Sequence, residues 1–392
     1  MSVGADAEFD EVIRRSRVLI VDETAANRDL IRGYLELSGF TNIEAAVDGV
    51  DALERVTAQE PDIVILDLAM PRMNGFDVCK QLIQTEGRSL PILVQTAFGG
   101  ATERSRAFEA GATDFITKPI HRIELLARVR LHLENRALIS RLQIYHDRVK
   151  AELSVARSMQ VNLLPSPSSL SDLRFSAGLD VAAVFEPSSE LGGDLWGLRA
   201  LDANRIALFS FDVCGHGVTA ALNAFRLHTL INSSMADEAP GMVLGKLSDR
   251  LRALLARGEF ATMLYAVIDL SANQLHYASA AAPVLALQTP AGETRFLNTA
   301  GLPLAVVDGQ SYVHRSVDFP VGASLYLFSD ALTETQDAQG ALWDSDDLLT
   351  TLAGRRNSPS AEVALGQVIE EFRAKREAYL ADDLTAICIR RL

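Results

Sequence analysis

Residues 61–75 read PDIVILDLAMPRMNG: four consecutive apolar residues, Ile63 to Leu66, end on Asp67 and give way to a turn carrying Pro71, Asn74 and Gly75. An apolar run this short, closed by a lone acid, reads as a strand buried on both faces that delivers a carboxylate to its end. The same design recurs on either side. RVLIVD at 17–22 and NIEAA at 42–46 precede it, PILVQTA at 91–97 and DFITKP at 114–119 follow, and a segment of helical period comes after each. Five such βα units predict a parallel sheet covered by helices on both faces.

In open sheets of this kind ligands sit beyond the carboxyl ends of the strands. Asp22 and Glu23 end the first strand, Asp67 the third, Thr96 the fourth and Lys118 the fifth, so all five converge on one rim. Three crowded carboxylates repel one another unless a cation lies among them, and an all-oxygen ligand set suits a hard divalent ion such as Mg²⁺. Asp67 then faces a hydroxyl and an ammonium which, with the metal, can each take one oxygen of a transferring phosphoryl group. Asp67 therefore reads as a phosphoryl acceptor, with Thr96 and Lys118 as its catalytic partners.

Together with MPRMNG at 70–75 and Lys118-Pro119, these residues resemble the response-regulator receiver family over about 120 residues. The resemblance implies a flavodoxin-like α/β receiver over 16–122 and a cognate histidine kinase. It also implies that the Ala69 carbonyl joins Asp22, Glu23 and Asp67 around Mg²⁺, and that Phe115 is a switch aromatic. Read from the residues alone, Phe115 is equally a packing side chain.

From Ile123 to Leu164 there is neither Gly nor Pro, and Leu, Arg, Glu and Ala dominate, which predicts one long helix within a connector at 123–166. Leu131, Leu138, Leu142, Tyr145, Val149, Ala156, Met159 and Leu163 fall on alternating three- and four-residue steps, with Asn135 and Glu152 as polar breaks. This pattern resembles a coiled-coil seam and predicts a parallel homodimer; a helix packed on either domain of its own chain gives a similar stripe.

After PSPSSLSDL at 165–173, read as a linker, period-two strands appear: RIALFSFD at 205–212, ATMLYAVIDL at 261–270, QLHYASA at 274–280 and SLYLFSD at 324–330. Helical stretches near 219–234, 241–257 and 360–380 surround them, predicting an α+β domain with antiparallel sheets. Acids stand at strand ends or in glycine-bearing turns, in GGD at 192–194, DVCGHG at 212–217, SDALTE at 329–334 and DDLT at 382–385. Gly192, Gly193, Gly215 and Gly217 suit a backbone that approaches an ion or phosphate closely.

With SMQVNLLP at 158–165, these motifs resemble the type 2C metal-dependent protein phosphatases over about 230 residues, in the branch of stage-II-sporulation-E-like enzymes of stress-response partner switching. What this implies is an antiparallel β-sandwich flanked by helices over 167–392, holding two Mn²⁺ or Mg²⁺ ions. Asp212 would bridge them, Asp194, Asp330 and Asp382 would hold them individually, the Val213 carbonyl would complete one shell, and Asp383 ranks behind Asp382. His216 would orient the site or protonate the leaving serine oxygen. Two such ions activate water for in-line attack on phosphorus without a covalent enzyme intermediate. The implied substrate is a phosphorylated anti-sigma antagonist.

Three positions depart from the family pattern: Gly197 stands for a second acid after GGD, Ala331 for a glycine, and SAAAP at 279–283 for an Asn-Ala-Gly-His-Pro-like turn. They motivate a second expectation, a phosphatase-like domain that has lost catalysis and sequesters a partner under receiver control. The retained aspartates favour the enzyme, since clustered carboxylates are costly to keep without a use.

Composition bounds the rest. With 392 residues the chain exceeds one comfortable core. A net charge of −14 argues against nucleic acid as a partner. Cys79, Cys214 and Cys388 have no disulfide or zinc spacing, and MSVGADAEFDEV has no basic, apolar leader pattern, so the expected location is cytoplasmic, without membrane insertion.

Overall fold

A computed structural model describes residues 10–86, 90–97, 101–234, 238–335, 343, 345–375, 380 and 382–392. The chain divides into two compact units, residues 1–149 and 150–392.

The first unit holds strands β1 (Val18–Val21), β2 (Ile43–Ala46), β3 (Ile63–Asp67), β4 (Ile92–Thr96) and β5 (Asp114–Thr117). Their order is β2-β1-β3-β4-β5, every pair parallel. Between them run helices α1 (Ala25–Glu36), α2 (Gly49–Ala58), α3 (Gly75–Glu86) and α4 (Ala101–Ala110). The three central strands, β1, β3 and β4, are apolar up to their carboxyl ends because both faces are covered. Val64, Leu66, Ile92 and Val94 pack with residues of α2, α3 and α4, whereas Ile63, Ile65, Leu93 and Ile116 pack on the other face with Ile31 and Leu35 of α1.

Helix α5 (Arg122–Val161) runs 40 residues, about 60 Å at 1.5 Å per residue. Its start is anchored by Leu125, Val129 and Leu133, which are buried on the α1 face of the sheet. Beyond that the apolar stripe is open: Leu138, Leu142, Tyr145, Val155 and Met159 are 56–68% exposed. The segment read as a linker is instead helix α6 (Pro167–Ala177). Its ends explain why: Ser166 caps it by accepting the Ser169 amide, Pro167 takes the first helical position, where no amide is needed, and Gly178 closes it with φ +61°.

The second unit is a β-sandwich. One sheet has the order β13 (Arg315–Asp318), β10 (Gln274–Ala280), β9 (Ala261–Asp269), β8 (Arg205–Val213), β7 (Leu195–Ala200). The other has the order β12 (Thr294–Phe296), β11 (Val284–Gln288), β14 (Ser324–Phe328), β15 (Leu384–Arg391), β6 (Leu179–Glu186). All pairings are antiparallel. Leu208, Leu264 and Ile268 of the first sheet meet Leu285, Leu325 and Ile387 of the second in the inner core. The first sheet's outer face is covered by α7 (Val218–Ser234) and α8 (Pro240–Arg252). The second sheet's outer face is covered by α10 (Ser345–Ala353) and α11 (Ala361–Lys375), with the short α9 (Ala331–Glu334) beside them. Among the described residues no helix is long and apolar enough to cross a membrane.

Candidate functional site

On the parallel sheet's rim, Asp22 is fully buried and its carboxylate accepts the Thr24 amide at 2.8 Å and the Asn27 side-chain amide at 3.1–3.2 Å. Lys118 Nζ lies 2.6 Å from Asp67 Oδ2 and 3.2 Å from Asp22 Oδ2. Burial lifts the Asp67 carboxyl above its ordinary pKa by more than Lys118 pulls it down. Burial also disfavours the Lys118 ammonium, but its bonds to Asp67 and Asp22 more than offset this and leave its pKa raised. The Ala69 amide donates to Asp67 Oδ1 at 3.2 Å, and Glu23 is exposed at the edge of the group. Thr96, 3% exposed, gives its hydroxyl proton to Glu103 of α4 at 2.7 Å, a partner the sequence reading did not assign. Phe115 is partly buried in an edge-on contact with Phe108, with the Arg104 and Arg128 guanidiniums 4.9 and 5.6 Å from its ring centre.

At one end of the sandwich, acids from both sheets gather. Asp212 is in β8, Asp330 follows β14, Asp382 and Asp383 precede β15, and Asp194 precedes β7. Burial and the neighbouring carboxylates Asp330, Asp382 and Asp383 push Asp212 up to about 7. Burial and Asp212 push Asp194 well above the carboxylate range. The polar frame is neutral: Thr385 Oγ1 donates to Asp194 at 2.5 Å, and Asp383 accepts from the Ser188 amide, the Ser188 hydroxyl and the Gly193 amide at 2.7–3.0 Å. Ser329 ties the two strand ends together, donating to the Asp383 carbonyl and accepting the Thr385 amide.

Asp382 and Asp383 therefore differ in surroundings. Asp383 is 4% exposed and holds the GGD turn, whereas Asp382 is half-buried and, among the described residues, accepts the adjacent Asp383 amide alone. His216 is exposed in its turn and has no hydrogen-bond partner among the described residues. The glycines serve two needs. A Cβ on Gly192 would lie 2.0 Å from Asp383 Oδ2 and one on Gly193 2.5 Å from the Val213 carbonyl, while Gly215 and Gly217 take positive φ of 95° and 76°.

Gln160, near the end of α5, is fully buried, donates to the Gly192 carbonyl at 2.8 Å and accepts the Gly192 amide at 3.3 Å. The long helix thus ends in a two-bond clamp on the turn that carries Asp194. A cavity of about 20 Å³, the size of one water, has Asp194, Asp212, Ser329, Ala282 and Pro283 in its lining. As a donor set, crowded oxygen ligands approached by glycine backbone suit hard divalent cations. Among the described residues no three His, Cys, Asp or Glu side chains are already drawn together tightly enough to hold an ion.

Comparison with known proteins agrees with this division. Residues 18–130 match the family model "Response regulator receiver domain", and residues 202–392 match "Stage II sporulation protein E (SpoIIE)". The chain joins a receiver domain to a SpoIIE domain. Response regulator MprA of Mycobacterium ulcerans is 45% identical over 122 residues, covering 31% of this chain and 52% of that protein. The chain thus spans about half the length of the curated relatives it matches. The SiaA-PP2C domain of Pseudomonas aeruginosa superimposes with a TM-score of 0.56 at 22% identity, over 63% of this chain and 98% of that one. The PP2C domain of SpoIIE from Bacillus subtilis gives 0.46 at 17%, over 55% and 64%. The second unit has the PP2C fold. Its SpoIIE match begins after the GGD turn, so Asp194 lies outside it.

The SpoIIE domain accommodates its three departures differently. At Gly197 a Cβ would fall 2.3 Å from the Phe209 ring, so the space an acid would need is filled. Ala331 opens α9 with its methyl buried in the core beside Leu332, and helical backbone needs no glycine. Ala281 takes φ +56°, where the family pattern supplies glycine, and the turn holds through Ser279, which donates to the Thr299 carbonyl and accepts the Ala282 amide.

Proposed function

We propose that the chain is a two-component response regulator in which phosphorylation of Asp67 by a histidine kinase controls a metal-dependent phosphoserine and phosphothreonine protein phosphatase. The observation that carries the output half is the acid cluster, five aspartates brought together from both sheets with two of them held above their ordinary pKa. In this reading Asp212 serves two Mn²⁺ or Mg²⁺ ions, Asp194, Asp330 and Asp382 serve one each with the Val213 carbonyl, and Asp383 positions the GGD turn. Ions held there supply charge neutralisation and an activated water for phosphate hydrolysis. Ala282 and Pro283 give the site an apolar wall that limits bulk water, and His216 stands at its edge as the group to meet the leaving serine oxygen.

The likeness to response regulators supports Mg²⁺ at Asp22, Glu23, Asp67 and the Ala69 carbonyl, with Thr96 and Lys118 as the partners of Asp67. Control is read through Gln160, whose clamp on Gly192 makes the position of Asp194 depend on the end of α5. The exposed stripe from Leu138 to Met159 supports pairing with a second copy, since an isolated apolar face of this length is costly in water. The substrate is read as a phosphorylated anti-sigma antagonist, and the location as cytoplasmic.

The sequestering-module reading draws on the turn at 279–283, where Ala281 takes φ +56° and the polar side chains of an Asn-Ala-Gly-His-Pro-like turn are missing. One experiment separates the two. With Mn²⁺ the purified chain hydrolyses an aryl phosphate, and Asp212→Asn lowers this by about 10²-fold or more; equal background rates for both proteins leave the binding module. Comparing wild type with Asp67→Asn, with and without a small phosphodonor and Mg²⁺, tests control, and identical rates in all four remove the receiver from the account.

A further inference from the structure

A hydroxyl has one proton to donate. Thr96, at the end of β4 beside the strand that carries Asp67, spends its proton on Oε2 of Glu103, in the first turn of α4. While Glu103 holds that proton it is not offered to a phosphoryl oxygen on Asp67.

We propose that Glu103 is a positioning residue that holds the receiver in its unphosphorylated state by occupying Thr96, so that Asp67 is stably phosphorylated only as Thr96 exchanges Glu103 for the phosphoryl group. The inference rests on Asp67 being the acceptor. With phosphoramidate as donor, an Asp67 carboxylate oxygen bonds to phosphorus as the phosphorus–nitrogen bond breaks, and the nitrogen leaves as ammonia with the protons it carries in the zwitterion. The Thr96 proton stays on Thr96 and changes acceptor, and the Glu103 carboxylate turns to water.

The test uses the full chain with Mg²⁺ and phosphoramidate, reading the phosphorylated fraction on a phosphate-affinity gel and the acyl phosphate lifetime after the donor is removed. Glu103→Ala is expected to lower the half-saturating phosphoramidate concentration roughly five- to tenfold, the scale of a hydrogen bond to a charged group. Glu103→Gln, which keeps an acceptor oxygen without the charge, should shift it less and in the same direction. In a Thr96→Ala background neither change should add anything, which a general effect of losing an acid from the helix start would not reproduce.

Unchanged half-saturation in Glu103→Ala with an intact melting transition overturns the proposal, as does the full shift persisting with Thr96→Ala. Should Glu103→Ala melt early, Glu103→Gln alone decides by the same criteria. A wild type that takes no phosphate at Asp67 overturns the acceptor reading and this inference with it, whereas a phosphorylated wild type with an unresponsive Glu103 overturns the inference only.

Discussion

At the receiver rim two buried carboxylates, Asp22 and Asp67, share the Lys118 ammonium at 3.2 and 2.6 Å; in the SpoIIE domain Asp194 and Asp383 are just as buried, and the hydrogen bonds that hold them come from neutral serine, threonine and backbone donors. The difference is one of timing. The first site brings one cation with the fold, which offsets part of its negative charge before any ligand arrives. The second carries repulsion that folding alone does not relieve, so its charge balance is left to something that binds later.

The comparison breaks first at Lys118. Lys118→Met removes the resident cation and is expected to destabilise the receiver by about 3–5 kcal/mol, the cost of an uncompensated buried charge, measured by calorimetry of the full chain. A loss under about 1 kcal/mol would mean that water, not Lys118, balances Asp22 and Asp67.

Metal is the next lever. Mn²⁺ at a hundred times its dissociation constant should stabilise the SpoIIE transition by about 2.7 kcal/mol. Asp212→Asn should melt later than wild type without metal and lose most of the Mn²⁺ increment. Equal increments in the two proteins would detach the ion from this cluster.

Gln160→Ala sharpens the contrast by leaving the Gly192 amide and carbonyl buried without partners, a cost of about 1–3 kcal/mol. Activity should fall further than stability explains, read as turnover well below the melting range. The smallest effect is expected at Ala281→Gly, which relieves a left-handed alanine and should raise stability by up to about 1 kcal/mol in thermal melts.

What could be read in advance follows from distance along the chain. The receiver strands announce themselves as apolar runs closed by polar residues, and the five rim groups follow from strand ends alone. The frame of the second site does not: Ser188 reaches Asp383 across 195 positions and Thr385 reaches Asp194 across 191, pairings no local pattern encodes. Gln160 lies in SMQVNLLP, and nothing in that stretch of sequence marks its amide as the partner of Gly192. Gly197 reads from the sequence as a missing acid, and only the pairing of β7 with β8 brings Phe209 into that space. PSPSSLSDL read as a linker because its prolines and serines suit turns, yet the same residues at cap and first-turn positions start α6.

The 40-residue span of α5 carries a consequence in angular terms. Over its last part, in the second unit, Leu153, Ala156 and Gln160 follow one another at steps of three and four residues and share one face of the helix, so the direction in which Gln160 points is set by the number of residues that separate it from Leu153 and Ala156. Seven added residues would return that direction to within about 20°, whereas two would swing it through about 200°. A helix built this way is keyed like a shaft: insertions of seven or eleven residues keep the clamp within about 20° of the turn it grips, and a step of two faces it away.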